Sequence, residues 1–322
     1  MSKDGKTFTD RIMSAIVDKR SILCLGLDPQ IGFIPEHILK WALGKFGNSF
    51  EAVARAFLRF NTEIVNEVHD LVAATKTQIA FYECYGHWGL WAYEKTIEHA
   101  KRKGLIVITD GKRGDGGDTA RAYAQGFLGE VLMIRGTKQS PVRVDCLTIH
   151  GYIGTACVEC FVEEIRQYGT GAFVVDKTSF EPNSEVEQLS LDEGIPVWQA
   201  LARMVDVWGK GTEGKCGYRN LGVVAGATYP QDIVVLRQIL PNAFFLIPGY
   251  GRQGGGSDGA VVSFNEDGFG GIVNSARSII AAWKSGQFRC EPKKYLWATR
   301  KATEFARVDL LAALKRAGKL NW

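Results

Sequence analysis

The stretch Asp110-Gly111-Lys112-Arg113-Gly114-Asp115 puts two carboxylates and an ammonium close together. On an extended strand end, residues two apart project to the same side, so Asp110 and Lys112 are expected to point one way. Asp115 follows in a loop that Gly114, Gly116 and Gly117 leave sterically free. Lys76, from a neighbouring strand, completes an alternating Lys–Asp–Lys–Asp array, in which adjacent carboxylates keep each ammonium protonated and in place. Such an array suits a reaction that passes through a carbanion, because an ammonium aimed at the developing charge stabilises it and can then give it a proton. A fixed carboxylate beside a substrate carboxylate would favour its departure as CO2, through a ground-state effect whose weight is contested. The same residues also read as a solvated charge cluster on a loop, since surface ion pairs are common and weak. Position decides between the two, and at a pocket mouth opposite Lys76 the chemical reading is preferred.

A second constellation is Ile247-Pro248-Gly249-Tyr250-Gly251-Arg252-Gln253-Gly254. Gly249, Gly251 and Gly254 match GxGxxG after a strand, which raises a dinucleotide fold. That fingerprint normally opens a fold and is followed by a strand closing on an acidic residue. Here it comes late, and the next strand closes with Asn274 and Ser275. Glycines after one strand and Arg277 after the next fit a phosphate cradle instead, with backbone N–H groups and a guanidinium fork as donors. Thr178 and Ser179 either donate to a polar ring or cap the following segment, and on their own do not say which. Asp28, ahead of Pro29, either binds a sugar hydroxyl or shapes a turn. His150 has no carboxylate partner in the nearby sequence and reads as pocket lining. Cys157 and Cys160 form a CxxC, but a zinc site needs a second ligand pair that the histidines do not supply, so no metal is expected.

The elements that must hold these residues are short, nearly continuous apolar runs, the mark of strands buried on both faces. They fall at Ile22–Leu27, Ala73–Ala80, Leu105–Thr109, Val144–Ile149, Ala172–Asp176, Leu221–Ala225, Phe244–Ile247 and Gly271–Asn274. Helix-period sequence lies between most of them. From Phe50 to Leu71, for example, Val53, Phe57, Ile64, Val65, Val68 and Leu71 share one face. The gap from Asp176 to Leu221 is longer and is expected to hold a loop insertion around Pro182–Glu185. Strand–helix alternation with no long linker predicts a (β/α)8 TIM barrel of the α/β class, one domain over residues 1–322, with a lead-in at 1–20 and a helical tail at 292–322 carrying Leu310, Leu311 and Leu314. In a barrel Asp28, Lys76, Asp110, Lys112, Asp115, Thr178, Ser179, Gln253 and Arg277 all follow or end strands, so they converge on the one face where active sites are built.

Asp110–Ala124, DGKRGDGGDTARAYA, resembles the DxKRGDIGxTAxAY signature of the orotidine 5′-phosphate decarboxylases, in their longer bacterial-type branch. LCLGLDP, FNTEIVNEVHDLVAATKTQIAFYE, VVDKTS, VVAGATYPQDI, FFLIPGYGRQGG and IVNSARSII agree in order, so the resemblance runs from about Ser21 to Ala282. It implies that Lys112 gives the proton to C6 of the pyrimidine once CO2 has left. Asp110 would sit beside the leaving carboxylate, with Lys76 and Asp115 completing the charged array. Asp28, Lys76 and Thr119 would contact ribose hydroxyls, and Ser179 would read the pyrimidine. Gln253 and Arg277 would hold the phosphate, and Pro248 would open the phosphate loop. In the family Asp115 and Thr119 reach into the partner subunit's site, so the resemblance implies a homodimer, and no metal or organic cofactor is used. The sequence departs from the pattern at Gly116 (usually Ile), Asp118, Thr77 (usually Pro), His150 (commonly Asn) and Phe180 (typically Asn). These departures touch turnover rate and loop order, since every charged member of the array is kept.

Two other readings remain in view. Related barrels that decarboxylate or condense sugar phosphates hold Mg²⁺ with acidic residues on the second and third strands, where this chain has Lys76 on the second. A barrel that binds a nucleotide monophosphate without chemistry would fit Gly116 and Asp118 as marks of decay. Composition narrows the rest. The chain has 322 residues, 46% of them hydrophobic, and a net charge of +4, too slight and too scattered to argue for nucleic acid. No apolar run is long enough to span a membrane, and the N-terminal residues lack the apolar core of a signal peptide. No fused phosphoribosyltransferase domain is expected in a chain of this length. Seven cysteines, an odd number, fit a reducing compartment. A cytoplasmic enzyme acting on an anionic small molecule is expected.

Overall fold

Leu23–Leu27, Ala243–Ile247 and Gly271–Ser275 bury every residue, so neither face of these strands meets water and both must be covered. The computed structural model describes residues 5–179, 185–192, 194–251 and 256–322. Its strands are β1 (Leu23–Leu27), β2 (Ala74–Gln78), β3 (Ile106–Arg113), β4 (Val131–Leu132), β5 (Lys138–Gln139), β6 (Cys146–His150), β7 (Gly171–Lys177), β8 (Arg219–Ala225), β9 (Ala243–Ile247) and β10 (Gly271–Ser275). Eight of them close into a barrel in the order β1-β10-β9-β8-β7-β6-β3-β2, while β4 and β5 form a separate antiparallel ribbon. Helices alternate with the barrel strands, as a (β/α)8 fold requires.

Each expected apolar run became a barrel strand. The largest difference is at β3, which continues past Thr109 through the polar residues up to Arg113. Periodicity stops reading a strand where the apolar residues stop, whereas backbone pairing carries on: Gln78 lies beside Asp110 in register. The β4–β5 ribbon was not anticipated, each arm being too short to carry a pattern.

The chain divides into two compact units, one of Met1–Ser14, Lys112–Val273 and Leu310–Trp322, the other of Ala15–Gly111 and Asn274–Asp309. In the second unit the helix Phe50–Val68 starts at Ser49, whose hydroxyl accepts the Ala52 amide at 3.1 Å. It buries Phe57, Phe60, Ile64, Val65 and Val68, whereas Val53 is only half-buried and Leu71 is buried beyond its end. Phe60 stacks on Tyr295, the first residue of the tail helix Tyr295–Arg316. In the first unit, the expected lead-in is itself a helix, Phe8–Lys19, with Phe8 and Ile12 fully buried. The Phe8 ring meets Phe173 and Phe244 edge-on near the start of β7, opening a contact that Gly171 makes room for: a Cβ there would lie 2.4 Å from the Phe8 ring. Leu310 and Leu314 of the tail helix are buried in this unit, and Leu311 is half-buried.

Candidate active site

β2 reads Ala-Thr-Lys-Thr-Gln, a polar sequence for a strand whose first four residues are buried. Each polar group therefore needs a partner. The Thr75 hydroxyl donates to the Leu25 carbonyl at 2.9 Å. The Lys76 ammonium, on a residue only 4% exposed, donates to Asp110 Oδ2 at 2.8 Å and lies 3.8 Å from Asp28 Oδ1. Three of the expected site residues, from the first three strands, are thus brought together. Burial works against the Lys76 charge, but Asp110 and Asp28 outweigh it and raise the ammonium above the ordinary lysine value, so it stays charged. The row thus holds one ammonium between two carboxylates. The neighbouring Cys24 thiol is pushed up to about 12 by burial and is inert as a nucleophile.

The same unit holds a support that the sequence reading missed. The buried Tyr82 hydroxyl donates to the Leu27 carbonyl at 3.3 Å, next to Asp28, and accepts a 2.8 Å hydrogen bond from Asn61. Burial first, and then the Asp28 charge, raise the Tyr82 phenol, so it stays neutral. Asn61 also donates to Thr96, and the signal for it was there: a polar residue amid the apolar face of Phe50–Val68. Gly26 of the LCLGLDP motif has a steric reason. A Cβ there would sit 2.4 Å from the Ala276 Cβ and 2.9 Å from its Cα, so β1 can touch the turn that leads into Arg277 only as glycine. Arg277 itself is exposed, its guanidinium 5.9 Å from the Phe33 ring centroid.

In the other unit, Lys112 departs from the extended geometry expected of it. Its φ is +44°, and it is one of two non-glycine residues with positive φ among those described, the other being Arg20. The Lys112 amide donates to the Thr148 hydroxyl at 2.9 Å, so a β6 side chain holds the turned backbone. Lys112 is exposed, whereas Asp110 is 8% exposed. Gly114 packs against His150, whose Cβ would be 3.0 Å from an added Cβ. Asp115 is exposed and accepts the Gly116 amide at 2.7 Å, turning back on its own loop. Thr119 is exposed in the first turn of the helix Gly117–Phe127. Gly116 faces nearly open space, with Ile153 the only neighbour an added Cβ would meet, at 3.9 Å.

Ser179 follows β7 and its carbonyl accepts the Thr228 hydroxyl at 3.4 Å. The Pro248 carbonyl accepts the Ala227 amide at 2.9 Å, at the end of β9. Gly249 and Gly251 have φ of +99° and +90°, values that only glycine adopts without strain, so these two glycines of the expected phosphate loop are structurally required. Gln253, Gly254 and Phe180 lie outside the described residues, as does most of the expected insertion around Pro182–Glu185. Cys157 and Cys160 are buried on the helix Thr155–Tyr168 and donate to the carbonyls of His150 and Gly117.

The model of the family described as "Orotidine 5'-phosphate decarboxylase / HUMPS family" matches residues 21–287. The chain belongs to this family. Among its relatives, the orotidine 5'-phosphate decarboxylase of Rhodopirellula baltica is 38% identical over 299 residues, covering 92% of this chain and 96% of that protein. The orotidine 5'-phosphate decarboxylase of Caldicellulosiruptor bescii is 34% identical over 278 residues, 86% of this chain and 90% of its own. The structure of Leishmania donovani OMP decarboxylase superposes with a TM-score of 0.72 at 23% identity, covering 95% of this chain and 98% of that one, and agrees in fold. The matched span of the family model begins just ahead of β1 and takes in Asp28, Lys76, Asp110, Lys112, Asp115, Ser179 and Arg277.

Proposed function

We propose that the chain converts orotidine 5′-phosphate into uridine 5′-monophosphate and CO2, the last step of de novo pyrimidine nucleotide synthesis, without a metal or organic cofactor. The observation that carries this reading is the buried row Asp28–Lys76–Asp110, with its 3.8 and 2.8 Å separations, in a member of the decarboxylase family. Asp110 stands against the substrate carboxylate and favours its loss. The C6–carboxylate bond breaks and its electron pair stays on C6. The Lys112 ammonium stabilises that charge and then gives C6 its proton, and the amine left behind is reprotonated from water. Asp28, Lys76 and Thr119 hold the ribose, and Ser179 reads the pyrimidine. Pro248, Gln253 and Arg277 hold the phosphate, whose binding energy serves to close the loops over the ring.

Asp115 belongs to the array of a second copy, so the working unit is a homodimer with shared sites. Its exposure, and that of Thr119, in the single chain supports this. The compartment is the cytoplasm, supported by seven cysteines without a disulfide. Among the described residues no helix is long and apolar enough to cross a membrane. A magnesium-assisted sugar-phosphate reaction is disfavoured by Lys76, an ammonium where that chemistry wants an acidic ligand.

The test follows the loss of orotidine 5′-phosphate absorbance with and without EDTA. Wild type should turn over equally in both, and Lys112→Ala should lose activity by roughly 10³-fold or more, given what a positioned proton donor and charge stabiliser contribute. Activity that needs added Mg²⁺, or that survives Lys112→Ala, would sink the reading.

A further inference from the structure

β7 ends in Asp176 and Lys177, both buried, and Lys177 has no exposed surface. A lysine so placed must be paired. Its ammonium lies 3.2 Å from Glu187 Oε2, 3.8 Å from Asp232 Oδ2 and 4.6 Å from the centre of the Tyr229 ring. Glu187 lies ten residues on from Lys177 in the chain. Its two carboxylate oxygens each accept the Thr178 amide, both at 3.1 Å, so one side chain holds the end of the strand by charge and the next residue by hydrogen bonds. The Asp176 carboxyl has no hydrogen-bond partner, and burial, followed by the Glu187 charge, pushes it well above the usual carboxylate range, although the Lys177 charge pulls the other way.

Ser179 is the next residue on, and it is confined from the other side as well. The Gly226 amide donates to the Lys177 carbonyl at 2.9 Å. A Cβ at Gly226 would lie 2.7 Å from the Ser179 nitrogen and 2.8 Å from both its Cα and its Cβ. The backbone of Ser179 is thus pressed between β8's end, through Gly226 and Thr228, and a strand end locked by Glu187. The buried ion pair is not something barrel stability needs, since well-packed apolar residues often replace such a pair at no cost. Together these contacts hold one short segment from two sides, which suits a residue that reads a ring by hydrogen bonds.

We propose that Glu187 and Lys177 are positioning residues for pyrimidine recognition, their buried ion pair clamping the strand end so that Ser179 meets the base in register. This rests on the reading above that Ser179 contacts the pyrimidine. The clamp acts on the base and not on the phosphate, and that difference is measurable with two inhibitors, uridine 5′-monophosphate and ribose 5-phosphate, which carries the phosphate and no base.

In Glu187→Ala, inhibition by uridine 5′-monophosphate should weaken on the order of tenfold and KM for orotidine 5′-phosphate should rise alongside, while inhibition by ribose 5-phosphate stays within about twofold. Glu187→Gln, which keeps an acceptor for the Thr178 amide but not the charge, should fall between. Gly226→Ala, which presses on Ser179 from the opposite side, should give the same split, and it keeps the test open if Glu187→Ala does not fold. Equal weakening of both inhibitors, or no change in either across the folded variants, overturns the positioning role. Wild-type protein that neither releases CO2 nor binds uridine 5′-monophosphate would instead overturn the parent reading, and that result appears before any variant is made.

Discussion

A left-handed backbone at a residue with a Cβ costs roughly 1–2 kcal/mol, so Lys112 occupies its place only because the surroundings hold it there. The Thr148 hydroxyl under its amide is one such hold. The cost predicts an order of stability that activity assays cannot see. Lys112→Gly and Lys112→Ala should both be inactive, yet the glycine variant should be the more stable by about 1 kcal/mol in equilibrium urea unfolding, because glycine adopts positive φ without strain. Were the backbone extended there, the order would reverse, with glycine less stable than alanine by roughly 0.5–1 kcal/mol. The pattern expected Lys112 on an extended strand end, and its φ of +44° departs from that, since nothing in a pattern of residue types announces a lysine at positive φ. Asp28, Lys76 and Asp110 were legible for the opposite reason. They sit on or just beyond paired strands: Lys76 lies opposite Gly26 and Ile108, and Asp28 and Asp110 come two residues on from those partners, on the same side of their strands.

The helix Phe8–Lys19 begins with Thr7-Phe8-Thr9-Asp10, and the Asp10 carboxylate accepts the Thr7 amide and hydroxyl at 3.0 and 2.9 Å and the Cys216 amide at 2.9 Å. Burial would raise this carboxyl, but the hydrogen bonds from Thr7 and Cys216 outweigh it and bring it to about 2. Because the folded value lies below the unfolded one, the stabilisation is complete above about pH 4 and is lost as pH falls towards 2. Asp10→Ala should therefore cost about 1–2 kcal/mol near neutrality, allowing for screening, and the gap to wild type should narrow by about half at pH 3. Urea titrations of both proteins at pH 7 and pH 3 measure it, and a gap that does not narrow removes the carboxylate's charge from the account. At this scale the barrel strands were legible because burial on both faces writes itself as an apolar run. The link between Lys177 and Glu187 was not, because the two lie ten residues apart in sequence with no periodic pattern to relate them.

For the whole molecule the open question is whether one chain makes a complete site. Asp115 and Thr119 lie exposed in the segment after β3, and Asp115 accepts the amide of the next residue, Gly116. In the twofold dimer proposed above, the same surface patch of each copy meets the other, and Asp115 is supplied to the partner's site. That arrangement makes inactive variants able to rescue one another. Lys112→Ala and Asp115→Ala should each be inactive alone, because every site in either homodimer lacks one member of the array. Mixed, unfolded together and refolded, half of the dimers should be mixed ones. If Asp115 serves the partner, both losses in a mixed dimer fall in one site and leave the other whole, so the mixture should recover roughly a quarter of wild-type activity. If Asp115 serves its own chain, each site of the mixed dimer carries one loss and no activity returns. The assay thus separates a shared site from a self-contained one without reference to how tightly the subunits bind, provided the refolded mixture elutes as a dimer.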